Sequence, residues 1–447
     1  MKQRRGILNI IVVIISIILF GFAVLSLRKS ISIISSIHTI WWTFFIVLAI
    51  ILYNTEEWNC FGLLYIQSTC VVMFLGEFIG RKMLIPKMAK QIQSFSPSNK
   101  YHTCIENSAW LMLGCFIILA SIGQLFTLRN YGFSILSFFN INSYLSMNAQ
   151  IAYARYNQTG SGSAFVQLFL TFSYIAPLCG GYCLYYAETL FQKIVACFSI
   201  LPITFCMLFT NTKAGFIGSI MLFAIGYIIA YLETKKNFPK VTFTVFCKFI
   251  LLFSFLLIIL FIVMCVRVGD FSKETIAVIK IKFAEYAVGH MEAFEMWFEK
   301  YRENMDSLQL GANTFLALAD KIGLKEKTQG VYSLIPEASS NVFTAFRGII
   351  TDFGIVGSLV FFQMIGLLGG VSEKFILNMK GALAKMVYAS LLFFILYSFV
   401  VSPWVYTTYI LIFPCFGLFC YLSKFRIKLA KVKINHDRKY IPSIEKK

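Results

Sequence analysis

Charged residues are scarce in this 447-residue sequence: Asp, Glu, Lys and Arg make up 14% of it. A soluble chain of this size has roughly a quarter of its residues charged. The deficit excludes a soluble enzyme and a disordered chain.

Histidine is also scarce, and the motifs of metal and nucleotide chemistry are missing. The four His residues show no ligand-like spacing, and the sequence has no HExxH, GxxxxGK[ST] or GxSxG pattern. We therefore predict no metal site and no cofactor. Neither of the two long loops described below contains Cys, so external disulfides are not expected.

Apolar residues are abundant instead: the hydrophobic fraction is 58%, mean hydropathy is +0.74, and Phe alone occurs 47 times. Apolar runs of about 20 residues are long enough to cross a bilayer as helices. The sequence predicts an all-α, polytopic membrane protein with about 11 (10–12) transmembrane helices. The runs lie near 7–27, 31–53, 60–80, 103–127, 163–187, 194–210, 214–232, 249–266, 349–371, 385–401 and 403–422.

These spans divide the chain into four parts. Residues 1–266 hold the first eight helices and an external loop at 128–162, and residues 267–348 form a large extracytoplasmic loop or cap. Residues 349–422 hold the last three helices, and residues 423–447 form a basic tail. The Gly366 to Gly370 spacing suits close packing of two helices.

The net charge of +19 is explained by topology. The tail carries nine basic residues, which places it in the cytoplasm by the positive-inside rule. Alternation from there puts 24 basic and five acidic residues inside, against 16 and 14 outside. The excess suits anionic inner-leaflet lipid, so no nucleic-acid partner is predicted. Eleven spans also put the N-terminus outside, although Lys2, Arg4 and Arg5 favour the inside.

Polar residues cluster at 340–357, where the cap enters the ninth span. A helix beginning near Asn341 places Thr344 and Arg347 one turn apart on one face. Asp352 then enters the membrane edge, where an ionised carboxylate is costly unless it is paired or wet. Two interpretations stay open: an interface anchor with an Asp–Arg pair, or a polar wall around a lipid-linked substrate.

This region resembles the O-antigen polymerase family, the oligosaccharide repeat-unit polymerases of bacterial surface polysaccharide assembly. The resemblance lies in Asn-Val-Phe-Thr-Ala-Phe-Arg at 341–347, Asp-Phe-Gly-Ile-Val-Gly at 352–357 and Leu-Gly-Ala-Asn-Thr-Phe at 310–315. The count of spans, the late external loop and the basic tail are similar too.

The resemblance implies a multi-pass protein of the bacterial cytoplasmic (inner) membrane that acts in lipopolysaccharide or capsule biosynthesis. A growing glycan on undecaprenyl pyrophosphate would be transferred to an incoming lipid-linked repeat unit on the outer side, without metal or nucleotide sugar. The implied partners are this lipid-linked glycan, membrane lipids and a chain-length regulator protein.

Such a reaction needs cations for the departing pyrophosphate. Four external basic residues lie near span ends: Arg155, Lys213, Arg267 and Arg347. Related polymerases and ligases often have Arg where Lys213 stands, after a hydroxyl residue in a similar turn. For each cation the alternative is an interaction with lipid headgroups.

The reaction also needs a base for the acceptor hydroxyl. Residues 283–301 show the apolar spacing of an amphipathic helix, and His290 lies on its apolar stripe. The candidates are His290, Glu292 and Asp352. The alternative for His290 is a packing residue, and the alternative for Glu292 is a solvated helix face.

Two other functions stay open. An O-antigen ligase transfers finished glycan to a lipid-A-type acceptor and also has one large external loop; residues 341–357 favour the polymerase. A lipid-linked oligosaccharide flippase or another transporter would place ionisable groups at mid-membrane and keep its loops short.

Overall fold

The computed structural model describes residues 2–52, 58–83, 107–156, 164–210, 213–240, 272–303, 307–326, 344–379 and 381–437, with isolated positions between 251 and 265. All regular elements in these ranges are helical, as the sequence predicts. The α-helices are α1 (Lys2–Arg28), α2 (Ile33–Leu52), α3 (Phe61–Met83), α4 (Asn107–Asn130), α5 (Ile141–Tyr156), α6 (Ala164–Tyr185), α7 (Leu190–Phe198), α8 (Leu201–Thr210), α9 (Lys213–Lys235), α10 (Lys273–Glu303), α11 (Leu316–Lys321), α12 (Thr344–Met379), α13 (Ala382–Tyr397) and α14 (Thr407–Asp437). Short 3-10 helices occupy Ile135–Phe139 and Pro403–Val405.

Eight helical segments in the described ranges are long and apolar enough to cross a membrane. The shorter apolar helices Ala382–Tyr397 and Thr407–Ser423 join them at predicted spans. The predicted span at 249–266 lies largely outside the described residues. The predicted span at 194–210 is two helices, because the chain turns between Phe198 and Leu201. The fold is thus compatible with a multi-pass membrane protein.

Polar contacts between helix ends define one side of the bundle. Arg81, near the end of α3, donates from Nη1 to the Ser30 carbonyl between α1 and α2 at 3.0 Å. The same guanidinium pairs with Glu373 near the end of α12. Three helix ends therefore meet at one partly buried cation.

A second buried ion pair lies on the same side. Lys385, at the start of α13, pairs with Glu233 at the end of α9, and Tyr182 near the end of α6 donates to that carboxylate at 2.6 Å. Tyr182 also contacts Phe419 of α14, with ring centroids 6.3 Å apart. Because α14 continues from here into the basic tail, we call this the tail side.

The opposite ends form the cap side. The Cys60 thiol before α3 donates to Asn9 near the start of α1 at 2.6 Å. The Ala345 N–H at the start of α12 donates to the Ser398 carbonyl after α13 at 2.7 Å. The N-terminal end of α1 therefore lies opposite the tail, which is the arrangement that eleven spans require.

Helices α3 and α12 pack through glycine. A Cβ on Gly76 or Gly80 would collide with backbone carbonyls of α12, and a Cβ on Gly366 or Gly370 with those of α3. This is the small-residue packing that membrane helices use for close approach. It brings the acidic residues of the two helices together on the tail side.

A bulky side chain in this contact is expected to separate the two helices. Gly366→Leu should destabilise the fold by about 1–3 kcal/mol or more, because the α3 backbone has no room to yield. Gly114→Leu is the matched control, since a Cβ there meets nothing within 4 Å. Thermal denaturation of the purified proteins in detergent measures both; equal melting temperatures would contradict the close contact.

Candidate functional site

The candidate site is organised by a break in α12 at Gly354, where φ is 71° and ψ is 177°. This left-handed conformation suits glycine, which has no Cβ to clash. The break divides α12 into a short half, residues 344–353, on the cap side and a long half, residues 355–379, that continues to the tail side. A broken helix leaves backbone groups unbonded, so they need partners from elsewhere in the protein.

Residues 307–315 supply those partners. The Gln309 N–H donates to the Thr351 carbonyl at 3.3 Å, and the Leu310 N–H donates to the Asp352 carbonyl at 3.1 Å. These carbonyls end the short half and would otherwise lack hydrogen-bond donors. Residues 307–315 therefore close the C-terminal end of the short half.

The Asp352 carboxylate holds the same segment. It accepts hydrogen bonds from the Asn313 N–H at 3.0 Å, from Asn313 Nδ2 at 2.8 Å and from the Thr314 N–H at 2.6 Å. The sequence stretches 310–315 and 352–357, far apart in the chain, are thus in direct contact. Both Asp352 oxygens accept hydrogen bonds in a fully buried position, which favours a positioning role over proton transfer.

The N-terminal end of the short half carries a cation and a hydroxyl. Arg347 is buried, with its guanidinium 5.5 Å above the ring of Trp297 in α10. Thr344 is fully buried at φ 66°, and its hydroxyl has no hydrogen-bond partner among the described residues. The two residues lie one turn apart, as predicted. A helix N-terminus with these groups suits an anion.

Helix α10 supports this end of α12. It includes the predicted helix 283–301 and extends it to Lys273–Glu303. Of the predicted apolar stripe, His290, Phe294, Trp297 and Tyr301 are buried, while Ala287 is exposed. The Tyr301 hydroxyl donates to the Ile350 carbonyl at 3.3 Å, which fixes α10 against the short half.

His290 lies in an aromatic environment. Its ring centroid is 4.7 Å from that of Phe45, 5.8 Å from that of Phe399 and 6.2 Å from that of Trp42. Within the described ranges neither ring nitrogen has a hydrogen-bond partner. Burial lowers the pKa of His290 to about 3, so the imidazole is neutral. These surroundings suit the packing interpretation.

Of the remaining predicted residues, two have described side chains, both on the cap side. Glu292 is half-buried on α10, and half-buried Lys213 begins α9. Arg155 lies in α5, but its side chain is outside the described residues, as are Arg267 and Asn341 entirely. The structure therefore brings together Arg347, Thr344 and the α10 stripe.

A tyrosine cluster extends from this site toward Lys213. Phe399, which contacts His290, lies 6.4 Å from Tyr397 between ring centroids. Tyr397 lies 5.3 Å from Tyr409, and Tyr409 lies 5.1 Å from Tyr174. Tyr174 approaches α9 at Gly215, two residues after Lys213. Aromatic rings and hydroxyls thus run from His290 to the start of α9.

Sequence reasoning missed Glu295. This residue is buried on α10 and accepts the Leu63 N–H at 3.0 Å, so it caps the N-terminus of α3. Burial raises its pKa to about 7. The signal was an acid at the apolar spacing of Val288, Met291 and Phe298.

Glu295 predicts a pH dependence of stability. Its pKa is about 7 when folded and about 4.5 when exposed, so the folded state holds its proton more tightly. The resulting stability, up to about 3 kcal/mol, is full below about pH 4.5 and is lost once the pH has risen through about 7. Melting temperature against pH should show this decline in the native protein and a weaker one in Glu295→Gln. Identical pH profiles would contradict the assignment.

The sequence also hid the burial of the tail-side charges. Glu233, Glu373 and Lys385 are among the charges that the predicted topology places inside, yet their side chains are buried at the ends of packed helices. Buried ion pairs join helices that are distant in sequence, so spacing cannot reveal them.

No protein-family model, curated protein or solved structure matches this chain.

Proposed function

We propose that this protein is a membrane glycosyltransferase that polymerises undecaprenyl-pyrophosphate-linked oligosaccharide repeat units into a surface polysaccharide of the O-antigen or capsule type. The carrying observation is the short half of α12. Its N-terminal end presents Arg347 and Thr344, and its other end is held by the segment 310–315 through Asp352. The described residues of the segments on which the family resemblance rests, 310–315, 344–347 and 352–357, are thus joined in one structural unit.

The leaving group is the first part of the argument. In the reaction, an acceptor hydroxyl oxygen bonds to the anomeric carbon of the growing chain, and the bond from that carbon to pyrophosphate breaks. Negative charge develops on the departing undecaprenyl pyrophosphate. The Arg347 guanidinium, the Thr344 hydroxyl and the helix N-terminus are donors for this charge. Their burial strengthens the interaction.

The acceptor proton is the second part. It must pass to a base near the same end of α12, and α10 is the helix packed there. Glu292 is the better candidate on this helix, because it is half-buried while His290 is enclosed by aromatic rings. Lys213 and Arg155 are proposed as further substrate cations. Arg267 is proposed as another cation for the pyrophosphate, and Asn341 as part of the polar wall that binds the substrate.

The membrane arrangement follows from the charges. With eleven spans the tail side is cytoplasmic, and the cap, 267–348, faces outward with the site beneath it. The enzyme would act in the bacterial inner membrane without metal or cofactor, next to a chain-length regulator protein.

A transporter of lipid-linked oligosaccharides is the second candidate. The broken helix α12 favours it, since transporters place substrate at discontinuous helices. Buried charges such as Glu233 and Lys385 are also typical of transport proteins. An O-antigen ligase would use the polymerase site with a different acceptor.

Deletion of the gene in its native host separates the three functions. Loss of a polymerase leaves single repeat units on the surface and no long chains. Loss of a ligase leaves long chains on undecaprenyl pyrophosphate, and loss of a flippase leaves repeat units at the cytoplasmic face. The polymerase proposal fails if long surface glycan persists or if repeat units stay inside.

A further inference from the structure

The tail side holds a buried acidic pair that the polymerase reaction does not use. Glu77 of α3 and Glu373 of α12 are at most 1% exposed and lie within electrostatic reach of each other. Both interact with Arg81: Glu373 Oε1 accepts a hydrogen bond from Nη2, and Glu77 Oε1 lies 3.8 Å from Nε. We propose that Glu77 and Glu373 together bind one proton at neutral pH, which makes this cluster a proton-binding site.

The charge balance of the cluster requires that proton. With both carboxyls ionised, two buried negative charges would face the single positive charge of the partly exposed Arg81. Arg81 is the single cation within ion-pair distance of either carboxylate in the described part of the chain. Lys385, one turn before Tyr388 on α13, is already paired with Glu233. An unpaired buried charge is strongly unfavourable, and a bound proton removes it.

Helix α2 stabilises the charge on Glu77. Its carboxylate accepts the Ser35 N–H at 2.9 Å and the Ile34 N–H at 3.4 Å, both at the start of α2. A helix N-terminus favours an anion there. The negative charge therefore belongs on Glu77, and the proton belongs on Glu373.

Unpaired polar atoms around Glu373 fit a protonated acid. Glu373 Oε2 and the Tyr388 hydroxyl are buried, and neither has a hydrogen-bond partner among the described side chains. Tyr388 of α13 also interacts electrostatically with Glu373, Glu77 and Arg81. A proton on Oε2 makes this oxygen a hydrogen-bond donor toward the space between α12 and α13. An ionised Oε2 would stay buried without any donor.

The proposal does not depend on the reaction at the cap side. The cluster joins α2, α3, α12 and the turn after α1, so losing the proton would put an uncompensated charge between the glycine-packed helices α3 and α12. Tail-side packing is thereby linked to the pH on the tail side.

Infrared spectroscopy tests for the proton directly. The full-length protein in detergent should carry Glu295→Gln, because Glu295 titrates near neutrality. This parent should show the C=O band of a buried protonated carboxyl at neutral pH. The band should be lost in Glu373→Gln and retained in Glu188→Gln, a control at an exposed tail-side acid. A parent without the band overturns the proposal.

Stability gives an independent test. Gln matches a protonated Glu in shape and charge, so Glu373→Gln should have the same melting temperature as the parent at neutral pH. At alkaline pH the melting temperature of Glu373→Gln should fall less than that of the parent. Arg81→Ala, which leaves the acids without their cation, should lower the melting temperature at neutral pH. If Glu373→Gln fails to fold, or if its melting temperature at neutral pH falls as much as that of Arg81→Ala, both carboxyls are ionised and the proposal is wrong.

Discussion

Arg347→Ala is expected to abolish polymer formation while the protein stays folded in the membrane. Among the described residues, Arg347 supplies the charge at the N-terminal end of the short half. Its guanidinium lies above the ring of Trp297. Removing a donor that stabilises developing charge costs about 10²–10³ in rate. Arg347→Lys keeps the charge but loses the planar fork, so we expect partial activity.

The experiment uses cells that lack the native gene and carry each variant. Surface glycan length is followed on gels, and membrane protein is followed by immunoblot. Arg302→Ala is the matched control, because this cation of α10 is exposed and lies 3.9 Å above the ring of Phe61, whereas Arg347 is buried above Trp297. A normal ladder from Arg347→Ala would remove the residue from the site, and loss of the protein would make it structural.

Lys385→Met is expected to be the most destabilising change on the tail side. Lys385 is fully buried, and it contacts both Glu233 and the Tyr182 hydroxyl, the latter at 2.8 Å. Removing one partner of a buried ion pair leaves the other charge uncompensated, at a cost of about 3–5 kcal/mol.

The double variant Lys385→Met/Glu233→Gln should recover much of that loss. At this position the double variant has no buried charge, and the Gln oxygen still accepts a hydrogen bond from the Tyr182 hydroxyl. A double-mutant cycle on melting temperatures in detergent measures the coupling. If the double variant is as unstable as the sum of the single variants, the pair contributes nothing, and packing alone explains the loss.

Hydropathy predicted the helices better than their interruptions. The described spans follow the apolar runs because a helix in lipid must satisfy its own backbone. The break at Gly354 lies inside the predicted span 349–371, where Asp352 and Gly354 alone do not distinguish a broken helix from a continuous one. The break exists because the N–H groups of residues 309 and 310 replace the lost helical bonds, which is a tertiary effect.

The candidate site was predictable only in part. The helical spacing of Thr344 and Arg347 and the apolar stripe of α10 follow from periodicity. The partners of these residues do not: Trp297 under Arg347 and Asn313 on Asp352 come from segments separated by many residues. The same holds for Glu295, whose partner is a helix start more than two hundred residues earlier.

Reconstitution tests the central claim most directly. The purified protein in liposomes would receive undecaprenyl-pyrophosphate-linked repeat units extracted from host cells that lack the gene. The account predicts glycans of increasing length on lipid, with one undecaprenyl pyrophosphate released for each bond formed, and neither product from Arg347→Ala. Movement of intact repeat units across the bilayer without chain growth would contradict it and support a transporter.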